Sequence, residues 1–189
     1  MRSAATVTLQ ALFGAAIVLG LAGTAAPSVA GRPHGTQALE SDVKAAFIYN
    51  FAKVVEWPGG AISSTTITID VIDDQPLAAS LRRLVDGKRA QGRTIAVRGE
   101  ARECATASQM CVIGGTTEGA VASQLNRLKR RPVLTISDWP RFLQLGGIIQ
   151  FRVANDRLRF RINTAGAAEN GLQVSGRLLA LSDNPGRPQ

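Results

Sequence analysis

The feature that most limits the fold is a regular alternation of strand-like and helix-like segments through the middle of the chain. The segment from Thr66 to Ile72 alternates and ends at Asp73-Asp74, which predicts a strand leading into a capped helix with Pro76 in its first turn. Further strands are predicted at 93–98, 110–113 and 132–136, and a helix at 117–130. Because strand–helix–strand crossovers connect parallel neighbours economically, this order predicts a partly parallel sheet.

The last third of the chain has the pattern of an antiparallel hairpin. Two alternating segments, 147–153 and 157–162, flank the turn sequence Ala154-Asn155-Asp156. Their apolar residues share one face, so the other face carries a basic stripe of Arg152, Arg157, Arg159 and Arg161. This stripe is either a solvated surface or a surface for an acidic protein or ligand. The later segment LQVSGRLLALSD fits either a last strand or a short helix.

These segments together predict an α/β fold in a single domain. Its mixed sheet has a βαβ-type first part and a C-terminal antiparallel hairpin, and it is flanked by helices.

The segment VKAAFIYNFAKVVEWP, from Val43 to Pro58, begins as an amphipathic helix that Pro58 ends. Its predicted apolar face consists of residues spaced three and four apart: Leu39, Val43, Ala46, Phe47, Phe51, Val54 and Val55. Tyr49 and Asn50 lie off this face. With Trp57 they combine flat apolar bodies and polar tips, which interfaces and ligand pockets favour. Alternatively, Trp57 closes the end of the core and Asn50 caps or bridges backbone.

The first thirty residues have the layout of an export signal. Arg2 is followed by an apolar run from Ala11 to Ala22 and by small residues at Ser28-Val29-Ala30. This layout predicts a signal peptide over 1–30, cleaved after Ala30 or alternatively after Ala26, with an uncleaved anchor as the other reading. Residues 31–189 then form the single domain, with a core of about 38–182, and the protein is predicted to reach the periplasm.

Export changes how the charge and the cysteines are interpreted. The formal charge of +8 becomes +7 when Arg2 is removed. Outside the cytoplasm this excess favours an anionic membrane surface, an acidic partner or an acidic ligand over nucleic acid, or it simply aids solubility. In an oxidising compartment Cys104 and Cys111 favour a disulfide, although Cys111 could also be a buried thiol at the head of a strand.

No catalytic constellation is found in the sequence. The single histidine, His34, lies outside the predicted folded part, and the usual hydrolase, Walker, dinucleotide and zincin motifs are missing. Asp73-Asp74 fits a helix cap better than an acid/base pair, and Gly114-Gly115-Thr116-Thr117 fits a turn better than an anion site. Two cysteines and one histidine do not make a four-ligand metal site. We therefore expect no enzyme activity, no metal and no cofactor.

Four segments in order resemble the YfiR-like family of exported proteins. They are KAAFIYNFAKVVEWP, PVLTISDWPRFLQLGGIIQFRV, RLRFRIN and GLQVSGRLLAL, and the resemblance covers roughly Val43 to Leu181. It implies a periplasmic α/β domain, commonly a homodimer, that represses a membrane-bound diguanylate cyclase by binding its periplasmic sensor region. Repression would lower cyclic di-GMP and biofilm formation. A periplasmic small-molecule sensor or carrier is the alternative function.

The resemblance also bears on the cysteines and on the site. A well-characterised member has two disulfides, whereas here Cys111 aligns with a family cysteine and Asp70 stands where its strand partner would be. The resemblance therefore leaves Cys104 as the substitute partner. Asn163 and Arg177 are family-matched polar positions. They are predicted to converge with Tyr49, Asn50 and Trp57 on a partner or ligand surface, where Arg177 would hold a carboxylate or phosphate or else tie down a loop.

Overall fold

The computed structural model describes residues 34–60, 62, 65–115 and 117–184, which form one α/β unit. The predicted signal peptide lies outside these residues. The described residues contain five helices: α1 (His34–Val54), α2 (Gln75–Val85), α3 (Glu118–Leu128), α4 (Thr164–Glu169) and α5 (Gly176–Leu181). The strands are β1 (Val55–Glu56), β2 (Thr66–Ile72), β3 (Arg89–Ala90), β4 (Arg93–Arg98), β5 (Met110–Ile113), β6 (Leu134–Ser137), β7 (Ile149–Ala154), β8 (Arg157–Ile162) and β9 (Gln173–Val174).

Seven strands form one mixed sheet in the order β3-β4-β2-β5-β6-β7-β8. The five central strands are parallel to one another, and β3 and β8 are antiparallel edges. The predicted α/β fold, with its βαβ-type first part and C-terminal hairpin, is confirmed. At the hairpin turn, Asn155 and Asp156 both have positive φ, as a two-residue primed turn requires.

Two short segments pair outside this sheet. Strand β1, which directly follows α1, pairs antiparallel with β9, with Val55 opposite Val174. The sequence of the segment LQVSGRLLALSD fitted either a last strand or a short helix. The structure contains both, because β9 is followed directly by α5. Strand β3 and helix α4 were not predicted: β3 has two residues, and α4 is a six-residue helix capped by Asn163.

The sheet separates two apolar cores. The larger contains Ile48 and Phe51 of α1, Leu77 and Leu81 of α2, and sheet residues such as Ile69. The smaller lies under α3 and includes Val121, Leu125 and both cysteines. Helices therefore cover both faces of the sheet, as a mostly parallel sheet requires.

The predicted apolar face of α1 was partly wrong. Leu39 and Val43 are 69% and 46% exposed, and Ala46 is also exposed, although all three were expected in the core. The buried face is rotated around the helix and consists of Ser41, Lys44, Ala45, Ile48, Phe51, Ala52 and Val55. Lys44 can be buried on this face because Glu40 and Asp138 neutralise its charge where the helix meets the sheet.

Candidate functional site

Tyr49 lies on the side of α1 that faces β3, and Asn50 follows it as an exposed residue. The Tyr49 hydroxyl donates to the Arg89 carbonyl oxygen at 3.2 Å. The Nζ atoms of Lys53 and Lys88 lie 5.1 and 5.5 Å from the centroid of the Tyr49 ring, within range of cation–π attraction. Lys53 also donates to Asn50 Oδ1 at 3.3 Å. The predicted pair therefore belongs to a cationic surface.

Beside this surface runs a groove with a volume of about 360 Å³. It is lined by Arg82, Val85, Asp86, Gly87, Lys88, Arg89, Thr94, Ile95 and Val97, and we call it the cationic groove. Its basic residues were not singled out in the sequence. The available signal was Asp86-Gly87-Lys88-Arg89, a turn after a helix with two successive cations.

Trp57 and Arg177 lie elsewhere, beside the small two-stranded sheet. Trp57 directly follows β1, packs partly buried against the larger core, and donates from Nε1 to the Gln109 carbonyl oxygen at 3.2 Å. Arg177 lies in the first turn of α5, close after β9, and is exposed. The structure thus brings Trp57 near the β9–α5 segment and places Tyr49 and Asn50 beside β3.

Asn163 has a local structural role at the end of β8. Its Oδ1 accepts from the Gly166 backbone N–H at 2.9 Å and caps α4, and its Nδ2 donates to the Gly147 carbonyl oxygen at 3.2 Å. Capping residues of this type satisfy the unpaired N–H groups of the first helical turn. Both polar ends of the Asn163 side chain are therefore engaged by backbone.

The basic stripe divides into two parts. Arg152 pairs with Asp183 at 2.8 Å, and Arg161 Nε donates to the Asp183 carbonyl oxygen at 3.2 Å. Arg157 and Arg159 are exposed and form no ion pair with any residue that the structure describes. Since Arg152 lies opposite Arg159, and Ala154 opposite Arg157, the free pair occupies the outer end of the hairpin.

The sequence reasoning missed a charged cluster at the carboxyl ends of the parallel strands. Lys44 is 7% exposed, and its Nζ lies 2.7 Å from Asp138 Oδ2 and 2.8 Å from Glu40 Oε1. Burial lowers the pKa of Lys44, but these hydrogen bonds more than offset it, so the pKa is raised overall. Lys44 lay off the predicted apolar face, so no local pattern marked it.

Asp74 adjoins this cluster as the N-cap of α2, accepting from the Leu77 N–H at 3.0 Å. The predicted capping role of Asp74 is confirmed. Burial raises the pKa of Asp74, although the bond from Leu77 opposes this shift. The cavity shared by Lys44, Asp74 and Asp138 measures only about 10 Å³, so the cluster is closely packed.

The two cysteines form a disulfide within the described residues, Cys104–Cys111. On β2, Asp70 lies opposite Cys111 and is fully buried. Its carboxylate accepts from Arg98 Nε and Nη2, from Ser108 Oγ and from the Ala105 N–H, at 2.6 to 2.8 Å. The loop before β5 is therefore tied down twice, by the disulfide and by Asp70.

Within the part of the chain that the structure describes, no group of His, Cys, Asp or Glu side chains could hold a metal ion. No helix in that part is long and apolar enough to cross a membrane.

Comparisons with known proteins show what the chain is similar to. A family model described as YfiR/HmsC-like matches residues 41–183. A search of curated proteins gave no match. Among solved structures, a conserved domain protein from Vibrio cholerae O1 biovar eltor is similar with a TM-score of 0.47 and 12% identity over 74% of this chain. The chain spans 58% of that protein's length.

The fold defines the class of this protein, a single mixed α/β domain. With most of its length matched by the family model, the chain belongs to the YfiR/HmsC-like family, whose members are periplasmic regulatory proteins.

Proposed function

We propose that this chain represses a membrane-bound diguanylate cyclase by binding the enzyme's periplasmic region, and so lowers cyclic di-GMP and biofilm formation. Family membership supports a periplasmic regulator. The structural observation that supports a binding role is an outer end of the β7–β8 hairpin with unsatisfied charge on one face and exposed apolar side chains on the other.

The hairpin projects beyond its neighbour in the sheet. Strand β6 ends at Ser137, opposite Gln150, and β7 continues to Ala154. The first half of α1 lies at the same end, because Lys44 bonds to Asp138 directly after β6. A partner approaching this end would therefore meet the hairpin and the first half of α1.

The apolar side of this end belongs to both elements. The Phe47 ring lies 6.0 Å from that of Phe151 and 5.5 Å from that of Phe160. One helical turn earlier is Val43, and two residues further along the hairpin is Val153, which is 63% exposed. Exposed apolar residues beside a charged rim are typical of protein interaction surfaces.

The opposite side of the hairpin supplies charge. Arg157 and Arg159 are exposed there without a carboxylate partner among the described residues. Such arginines fit an acidic surface and would mainly speed association and select the partner. We therefore assign the acidic partner surface predicted for the basic stripe to Arg157 and Arg159, and leave Arg152 and Arg161 a structural role.

A charge reversal tests the assignment. The double variant Arg157→Glu/Arg159→Glu should weaken binding to the purified periplasmic region of the cyclase by at least about tenfold, since like charges would then face each other. It should also raise cellular cyclic di-GMP toward the level of a deletion strain. Binding is measured by surface plasmon resonance and the second messenger by mass spectrometry.

The matched control is Lys129→Glu/Arg131→Glu. These two exposed cations follow α3 and precede β6, at the end of the parallel strands away from the outer end of the hairpin, and the control makes the same change in charge. It should bind the cyclase region like the unmodified protein. If deleting the protein leaves cyclic di-GMP unchanged, the repressor function is wrong.

A further inference from the structure

The cationic groove is an open surface groove that combines an apolar wall with exposed cations. Its apolar part consists of Val85 at the end of α2 and of Ile95 and Val97 on β4, all at least partly buried. Its volume of about 360 Å³ lies at the lower end of the range for small-molecule sites, about 300–1,000 Å³. The groove therefore has room for a small apolar body.

Its cations remain available to a ligand. Arg82 Nε donates to the Val97 carbonyl oxygen at 3.4 Å, and Arg89 Nη1 donates to the Gly92 carbonyl oxygen at 2.9 Å. Neither these arginines nor Lys88 forms an ion pair with the described residues. A guanidinium has five N–H donors, so each arginine keeps donors for an anion.

The charge balance indicates what kind of anion fits. Arg82, Lys88 and Arg89 contribute three positive charges to the lining and Asp86 one negative charge, which leaves an excess of two. Lys53 and Lys88 both contact the Tyr49 ring, so Lys53 adds to the positive field at the rim. A phosphate monoester carries about −1.5 to −2 at neutral pH, whereas a carboxylate or a lipid phosphodiester carries about one negative charge.

We propose that the cationic groove binds a soluble phosphate monoester with a small apolar or aromatic body. Arg82, Lys88 and Arg89 hold the phosphate, and Val85, Ile95 and Val97 contact the body. The site lies beside β3, at the edge of the sheet opposite the hairpin, so it is independent of the proposed cyclase surface. It gives the regulator a place to receive a small-molecule signal.

Isothermal titration calorimetry of the purified chain with phenyl phosphate tests the site at neutral pH. Phenyl phosphate should bind saturably and more tightly than inorganic phosphate, which lacks the apolar body. The variant Lys88→Gln/Arg89→Gln should weaken phenyl phosphate binding by at least about tenfold, because two charge-assisted hydrogen-bonding groups are lost. Arg82→Gln, on the other wall, is an independent second variant and should weaken binding in the same direction.

The matched control is Arg157→Gln/Arg159→Gln, which removes the same charge from the hairpin and should leave the affinity within about twofold, since only general attraction changes. Thermal unfolding confirms that each variant is folded. Vesicles containing phosphatidylglycerol distinguish a lipid headgroup from a soluble ligand. The proposal is overturned by absence of saturable phenyl phosphate binding, by equal weakening in the control, or by binding to vesicles alone. None of these results bears on cyclase binding, which is measured separately.

Discussion

The contribution of a charged residue to the stability of this domain depends on how deeply its ion pair is buried. Asp70 is fully buried, yet four donors surround its carboxylate, and Arg98 supplies two of them. The hydrogen bond with Asp70 raises the pKa of Arg98. Exposed pairs such as Arg83 with Asp42 have no comparable burial. Buried charges that are fully hydrogen-bonded are costly to break, whereas exposed pairs contribute little.

We expect Asp70→Asn to destabilise the domain by about 2 kcal/mol or more, because a neutral amide cannot replace the carboxylate as the partner of Arg98. The loss is limited because the Arg98 side chain is half exposed and can be solvated. Urea unfolding followed by circular dichroism measures the change. The control, Arg83→Ala, should cost less than about 1 kcal/mol. Equal effects of the two substitutions would contradict a special role for Asp70.

Asp74 gives a pH dependence of opposite sign to that of a salt-bridged carboxylate. Its pKa in the folded state is raised above 3.8, chiefly by burial, so the folded state holds the proton more tightly than the unfolded state. The contribution of Asp74 to stability therefore falls as pH rises from about the unfolded value through the folded one. At neutral pH the ionised carboxylate opposes folding.

Asp74→Asn keeps an acceptor for the Leu77 N–H and cannot ionise. It should be more stable than the unmodified protein at neutral pH, and the difference should disappear in acid below the unfolded pKa. Asp74→Ala should lose about 1 kcal/mol in acid, because the cap itself is removed, and less at neutral pH, where removal of the ionised carboxylate offsets part of the loss. Urea denaturation at the two pH values tests both, and a less stable Asp74→Asn at neutral pH would contradict the shift.

At the scale of elements, α1 shows where pattern reasoning reaches its limit. The helix itself was predicted, but Val43 was assigned to the core while Ile48 was not. The spacing rule counts apolar residues and cannot know that Lys44 finds Asp138, which lies 94 positions away in the sequence. Strands with clear alternation and a turn sequence, such as β7 and β8, were predicted well because their signals are local.

A pair of truncations on α1 distinguishes the two faces. Ile48→Ala should destabilise the domain by about 2–4 kcal/mol, because the side chain is fully buried in the larger core. Val43→Ala should stay within about 0.5 kcal/mol, as expected for a surface position. Denaturant midpoints measure both changes. If Val43→Ala lowered the free energy of unfolding strongly and Ile48→Ala left it unchanged, the apolar face predicted from the sequence would be the correct one.

At the scale of the whole molecule, the sequence predicted the α/β class and the hairpin but left strand order open. Order depends on contacts between distant segments, such as the placement of β2 between β4 and β5, with Ile69 opposite both Val97 and Met110, which no local pattern encodes. The surface around Tyr49 likewise depends on distant segments. Tyr49 was singled out by its chemistry, but Lys88 and Arg89 approach it only through the fold.

The predicted export of the chain can be measured directly. We expect the mature protein to begin at Gly31, since small residues precede that bond in a typical cleavage site. Periplasmic extraction followed by N-terminal sequencing measures this, and a cytoplasmic control protein monitors lysis. Sedimentation of the same material should show the predicted homodimer. Recovery of the uncleaved chain from membranes would support the anchored alternative.

The last described residues run along the outer edge of β8. Asp183 donates its N–H to Phe160, and the side chain of Asn184 exchanges two hydrogen bonds with the backbone of Ile162 at 2.9 Å. An open sheet edge is a template for another strand. Removal of Asp183 and the residues after it would leave these backbone groups of Phe160 and Ile162 without their partners. We expect the shortened protein to stack edge to edge into fibrils during storage.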